Sequence, residues 1–212
     1  DVLCLMFELL RIARQAPVEL EEHIEDPQAS AVFSRYPKIQ KDMMAVEMIC
    51  DTMRAGSMNY DDPHQVEDVL EKQLATHLHH SLHTAHAMQT MADGLPALGI
   101  VAAVLGIIKT MSAIDQPPDI LGKMIGSALT GTFLGVFLAY GFVGPFANKI
   151  KAVIEEEHQF YVLIREVLVA NLHKHAVDIC VEVGRQNTPV DWRPSFSDLE
   201  EALSNTRNQG AA

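Results

Sequence analysis

The sequence predicts an all-α integral membrane protein: a transmembrane helical hairpin joined to a helical cytoplasmic domain. Four observations carry this reading. Met124 to Asn148 is a run of 25 residues without a charge, fenced by Lys123 and Lys149. As a helix rising about 1.5 Å per residue it spans about 37 Å, more than the roughly 30 Å of a hydrocarbon core. A second uncharged run, Gly94 to Ile108, is followed by Lys109, whose aliphatic stem lets its charge snorkel outward while Thr110 to Ile114 complete a crossing. Between the two runs, Asp115 to Asp119 reads DQPPD, turn chemistry that removes backbone donors and ends helices. Finally, no segment alternates apolar and polar residues with strand bias.

The mean hydropathy of +0.07 averages these apolar spans with two acidic arms. Asp1–Ala92 holds 7 Lys and Arg against 15 Asp and Glu, a net of −8, and Lys149–Ala212 holds 7 against 10, a net of −3. The expected organisation follows: a cytoplasmic domain over 1–92, two spans at about 94–114 and 124–148 within 93–148, and a cytoplasmic helix and tail over 149–212. An acidic chain with no basic stripe excludes nucleic acid as a partner. Cys4, Cys50 and Cys180 are odd in number and far apart, which fits idle thiols in a reducing compartment rather than disulfides or zinc. The chain opens on Asp with no signal-type segment, and membrane sequence is expected to precede it.

Taken in order, residues 1–15 place Leu3, Phe7 and Leu10 on one helical face with Glu8 and Arg11 opposite. Pro17 interrupts, and VELEEHIEDP forms a short acidic helix up to Pro27. From Ser34, apolar residues recur at Ile39, Met43, Val46, Ile49 and Met53, with Gly56 as the expected C-cap. A turn at MNYDDP leads to a helix over His64–Met91, with Val66, Val69, Leu70, Leu74, Leu78 and Leu82 inward. Past Lys149, Ile150, Val153, Ile154, Phe160, Leu163, Ile164, Val167 and Leu168 keep the helical period, so the second span runs on as one long helix ending at Gly184. Ser197 and Glu200 supply a capping box for a final short helix.

The residues available for chemistry are few. His77, His79, His80, His83 and His86 share a stretch of helix, yet no Asp or Glu between Lys72 and Met91 completes or orients a ligand set, so a solvated polar face is expected and no metal site. Gly131, Gly135 and Ala139, with Gly122 and Gly126 before them, and Gly99, Ala103 and Gly106 on the first span, let helix backbones approach closely in lipid. Apart from Lys109 the spans carry no Asp, Glu, Arg or His, so another polypeptide must supply any proton-binding acid. Pro96 and Pro145 sit near one face of the hairpin, as paired hinges or static kinks, and Pro145 is expected to free the carbonyl of Gly141.

At DGLPALGIVAAVLGIIKTM and ALTGTFLGVFLAYGFVGPFANKI, with HIEDP, FSRYPKI and RPSFSDLEEAL, the chain resembles the MotA family of flagellar stator subunits, within the MotA/TolQ/ExbB proton channel superfamily. The resemblance covers nearly the whole sequence and begins just after that family's second of four spans. It implies a proton channel rather than an enzyme, with no cofactor, in the bacterial inner membrane. The implied partners are further copies in a ring, a MotB-type subunit bringing a membrane Asp, the rotor protein FliG, and lipid. By motif it places the rotor contact on Arg14 and Glu21, with one residue fewer between them than the pattern has, which leaves Glu22 beside Glu21. It places the hinges on Pro96 and Pro145 and the pore-facing hydroxyl on Thr132. Ala103 and Gly131 stand where sodium-driven relatives carry Thr, which implies proton drive. The Gly131–Gly135–Ala139 face, with Thr132, is expected to meet the partner's Asp helix. The alternatives are a TolQ/ExbB-like energiser of outer-membrane processes and a membrane-anchored metal-binding protein using His77–His86.

Overall fold

Leu5 is fully buried in the core of the larger of two compact units. The structure, a computed structural model, describes residues 1–57 and 62–209. The turn expected at MNYDDP therefore has Met58–Asp61 outside the described residues. Every element among the described residues is helical. The chain divides into one unit of Asp1–Thr76 with Glu157–Ala212 and a second of His77–Glu156.

In the first unit, α1 (Val2–Gln15) is the helix on which the others pack, touching α2 (Pro17–Glu25), α3 (Ala31–Ser34), α9 (Val177–Asn187) and α10 (Phe196–Gln209). Leu5, Met6, Leu9 and Leu10 have no exposed surface, and they meet Phe33, Met48, Ile49, Ile164, Val167, Leu168 and Val181 in one core. Burial of such side chains contributes about 1.5–3 kcal/mol each. Because α1 is covered on nearly all sides, Glu8 is buried rather than solvent-facing as expected.

The apolar stretch from Ser34 is divided by its polar punctuation. Ser30 caps α3 through the Phe33 N–H at 3.4 Å, Pro37 opens α4 (Pro37–Gln40), and Asp42 accepts from Ala45 N–H at 3.1 Å at the start of α5 (Met43–Ser57). Gly56 is inside α5, not its C-cap. Ile39, Val46, Ile49 and Met53 are buried, while Met43 faces solvent in the first turn of the helix. Cys50 and Cys180 are buried free thiols; burial pushes the Cys50 thiol up to about 12 and raises that of Cys180, which keeps both as inert SH groups.

Two long helical elements pass through both units. α6 (Pro63–Met111) fuses the His-rich helix to the first apolar run without a break at Asp93–Gly94. Within the first unit Val66, Leu70 and Leu74 are buried as expected, whereas Val69 is exposed. The other element comprises α7 (Pro118–Leu138), a π-helical segment (Ala139–Val143) and α8 (Gly144–Leu172). Val153, expected inward, is 47% exposed.

α8 ends at Leu172, not at Gly184. Lys174 turns the chain in the left-handed region with φ 62°, after which α9 begins. Gly184 is inside α9 for a packing reason: a Cβ there would meet Val167 Cγ2 at 2.5 Å and Leu3 Cδ2 at 2.6 Å. The final helix is capped two residues upstream of the expected box. Ser195 Oγ accepts from Asp198 N–H at 3.1 Å, and Asp198 Oδ2 accepts from Ser195 N–H at 3.2 Å. The preceding tail is pinned by Arg185, which donates to the Pro194 carbonyl at 3.1 Å, and by Arg193, which donates to the carbonyls of Thr188 at 3.1 Å and Gln186 at 2.8 Å.

In the second unit, the α6 part and α7 run antiparallel. Both candidate spans are long and apolar enough to cross a membrane, with mean hydropathies of 2.0 and 1.5 over their best windows. Leu98, Val101, Leu105, Ile108, Leu129 and Phe133 point outward, each more than half exposed. An apolar surface of this extent is stable against hydrocarbon or protein, not water.

Candidate functional site

The contact between the two spans is built on glycine. A Cβ at Gly135 would lie 2.6 Å from the Leu95 carbonyl oxygen and 3.1 Å from Gly99 Cα, and one at Gly99 would lie 2.8 Å from the Gly131 oxygen. With no side chains between them the backbones touch, which is how helices associate where lipid gives no hydrophobic drive. Gly131 and Gly135 thus pack on this chain's own first span. Gly122 and Gly126, by contrast, have open space where a Cβ would be.

This contact brings the expected channel residues together. Thr132, half-buried, donates its hydroxyl to the Gly99 carbonyl at 3.3 Å. Ala103 is 7% exposed, and a Cβ on Gly131 would come within 3.8 Å of its backbone N and 3.1 Å of Ala102 Cβ. Among the described residues, the hydroxyl that bridges the two spans is that of Thr132, and no carboxylate is present over Gly94–Ile114 or Ile120–Asn148.

The two prolines lie at different levels. Pro96 adjoins Leu95, which faces Gly135, whereas Pro145 is ten residues beyond Gly135, or about 15 Å along the helix. Pro96 is inside α6. Pro145 is separated from the π-helical segment by Gly144, whose N–H reaches the Ala139 carbonyl five residues back. The widened turn, rather than a simple loss of the Gly141 bond in an α-helix, accommodates the ring.

In the first unit, Arg14 closes the last turn of α1 and is exposed, but it is not merely solvated. Its guanidinium donates to Asn171 Oδ1 at 3.2 Å and to the His175 carbonyl, bracketing the turn at Lys174. Glu21 and Glu22 are exposed on α2. Sequence reasoning missed the polar cluster beneath this surface. Glu8 accepts from the Tyr36 hydroxyl at 3.1 Å and pairs with Arg35, yet burial outweighs both and holds its carboxyl above the usual range. The same surroundings push the Tyr36 phenol up to about 12. Asp42 and Tyr161 form a second such contact at 3.2 Å.

The histidine face carries ring contacts rather than a ligand set: His79 and His83 meet edge-on with centroids 5.0 Å apart. Among the described residues the metal-type side chains that converge are elsewhere, at His64, Glu67 and His173.

A helical hairpin with apolar outer surfaces, closed by glycine and joined to an acidic helical unit, defines a membrane protein. Residues 38–161 match the MotA/TolQ/ExbB proton channel family. The chain is 35% identical to Motility protein A of Salmonella typhimurium and 34% identical to that of Escherichia coli, in each case over 98% of its length and 71% of the relative's. Its fold is similar to a subunit in the structure of C. jejuni MotAB, with a TM-score of 0.68 at 21% identity, covering 92% of this chain and 69% of that one. The chain belongs to the MotA/TolQ/ExbB proton channel family.

Proposed function

We propose that the chain is the A-type subunit of a flagellar stator, converting proton flow across the bacterial inner membrane into torque on the rotor. The observation that carries the reading is the hairpin itself: glycine-closed, apolar on its outer faces, and with a single hydroxyl, Thr132, bridging its spans in place of any acid. A channel built this way needs a carboxylate from a partner, which a MotB-type subunit with its membrane Asp supplies. A carboxylate in hydrocarbon is costly when charged and much less so when protonated, so its contacts change with each proton. Thr132, Ala103 and Gly131 are the pore-side residues of this reading, with water beside the Thr132 oxygen completing the contact. Pro96 and Pro145, each lacking an N–H, are the points where the spans bend in response. Arg14 and Glu21 form the contact with FliG. Further copies of the chain complete a ring around the partner.

The test is genetic. Deleting the gene should leave cells with flagella that do not turn, and restoring it should restore swimming even when sodium is withdrawn at constant proton-motive force. Normal swimming in the deletion strain, or swimming that stops without sodium, contradicts the reading.

A further inference from the structure

At the start of α6 and just past the end of α8, three side chains of metal-ligand type converge within the first unit. His64 and Glu67 are one helical turn apart on α6, and His173 is the first residue after α8; one ligand atom from each lies within 4.8 Å of the other two. His64 Nδ1 is 3.6 Å from Glu67 Oε2, and the rings of His64 and His173 meet edge-on with centroids 5.3 Å apart.

We propose that His64, Glu67 and His173 form a binding site for a divalent transition metal of the zinc type, a site distinct from the histidines over His77–His86 and from the channel. Two imidazoles and one carboxylate suit zinc, whereas calcium and magnesium favour oxygen-only sets. Ligands about 2.0–2.1 Å from a tetrahedral ion are about 3.3 Å apart, so the side chains need to close inward by about 1 Å. Both imidazoles are free to do so, the His64 side chain being 77% exposed.

The charge around the site favours a cation. Arg165 pairs with Glu67 at 3.4 Å, Glu71 at 3.8 Å and Glu166 at 3.0 Å, so three carboxylates surround one guanidinium. Glu67 directs Oε1 to Arg165 and Oε2 to His64, leaving the second oxygen for the metal without breaking the ion pair. Three protein ligands leave the fourth position to water, which makes the site exchangeable. A metal held there clips the first turn of α6 to the turn that follows α8, a turn that Arg14 also holds through Asn171 and the His175 carbonyl.

The experiment is zinc titration, by competition with a chromophoric chelator, of the full chain purified with its partner subunit in detergent. Wild type should take up one zinc per chain at this site, and His64→Ala, His173→Ala and the shape-preserving Glu67→Gln should each weaken uptake about tenfold or more. The His79→Ala, His83→Ala double variant should bind as wild type does. Added zinc should also raise the unfolding temperature of wild type but not of the His64→Ala, His173→Ala double variant. Absence of saturable uptake by wild type, or unchanged affinity once His64 and His173 are both replaced, overturns the proposal.

Discussion

Glu8 shows how a single residue can carry the influence of several elements. Its side chain is on α1, but its partners Arg35 and Tyr36 come from the α3–α4 connection, and burial by the surrounding core sets its protonation. The folded pKa is raised above the ordinary 4.5. The stability that Glu8 contributes is thus fully present below that value and is lost as pH rises through the folded pKa. Glu8→Gln removes the titration while keeping a polar group for Tyr36. Its unfolding temperature should accordingly vary less than that of wild type from about pH 4.5 upward, measured by thermal melts across that range. An identical pH profile would show that Glu8 is not the titrating group. A helical wheel put Glu8 in solvent because it records the periodicity of one helix and not what packs on its far side. Arg14 was legible as a charged residue in a recognisable motif, but its bond to Asn171 depends on a turn distant in sequence. Ala103 and Gly131 were legible for the opposite reason, their small size at helical steps being itself the packing signal, whereas Thr132 came from the family resemblance.

At the scale of elements, ends were harder to read than helices. The sequence supports one long helix after Lys149, and the break at Lys174 has no glycine or proline to announce it. Gly184 resembled a terminator, but its missing Cβ makes room for Leu3 and Val167. The cap of α10 allows a direct test. Ser195→Ala removes the acceptor for Asp198 N–H and should cost about 1 kcal/mol, seen as faster amide exchange in α10, while Ser197→Ala should change it less. Equal effects would restore the box first expected at Ser197. The prolines are staggered along the hairpin, so bending at Pro96 and at the π-turn before Pro145 would act at two depths. If the bends transmit motion, the Pro96→Ala, Pro145→Ala double variant should insert and bind its partner but fail to turn the motor in a tethered-cell assay. Full motility would reduce both prolines to static kinks.

For the molecule as a whole, the first unit constrains topology independently of hydropathy. Asp1–Thr76 and Glu157–Ala212 build one core, with α1 against α9 and α10, so the segments before and after the hairpin must share a compartment. A hairpin that crosses twice satisfies this; a single crossing by either long helix would pull the core apart. Orientation then depends on the flanks. Lys149 and Lys151 follow the second span, whereas the connector between spans carries Asp115 and Asp119, a modest bias from which we predict a connector on the outer side. The buried thiols make cysteine labelling practicable: Cys50 and Cys180 are enclosed and held protonated, and only Cys4 needs replacing. A Gln116→Cys variant should react with a membrane-impermeant maleimide in intact cells, while Glu21→Cys, exposed on α2, should react only after permeabilisation. The reverse pattern would invert the topology. Labelling of both sites in intact cells would mean that the hairpin does not cross the membrane, and would leave the apolar faces of Leu98, Leu105 and Phe133 to be covered by protein alone.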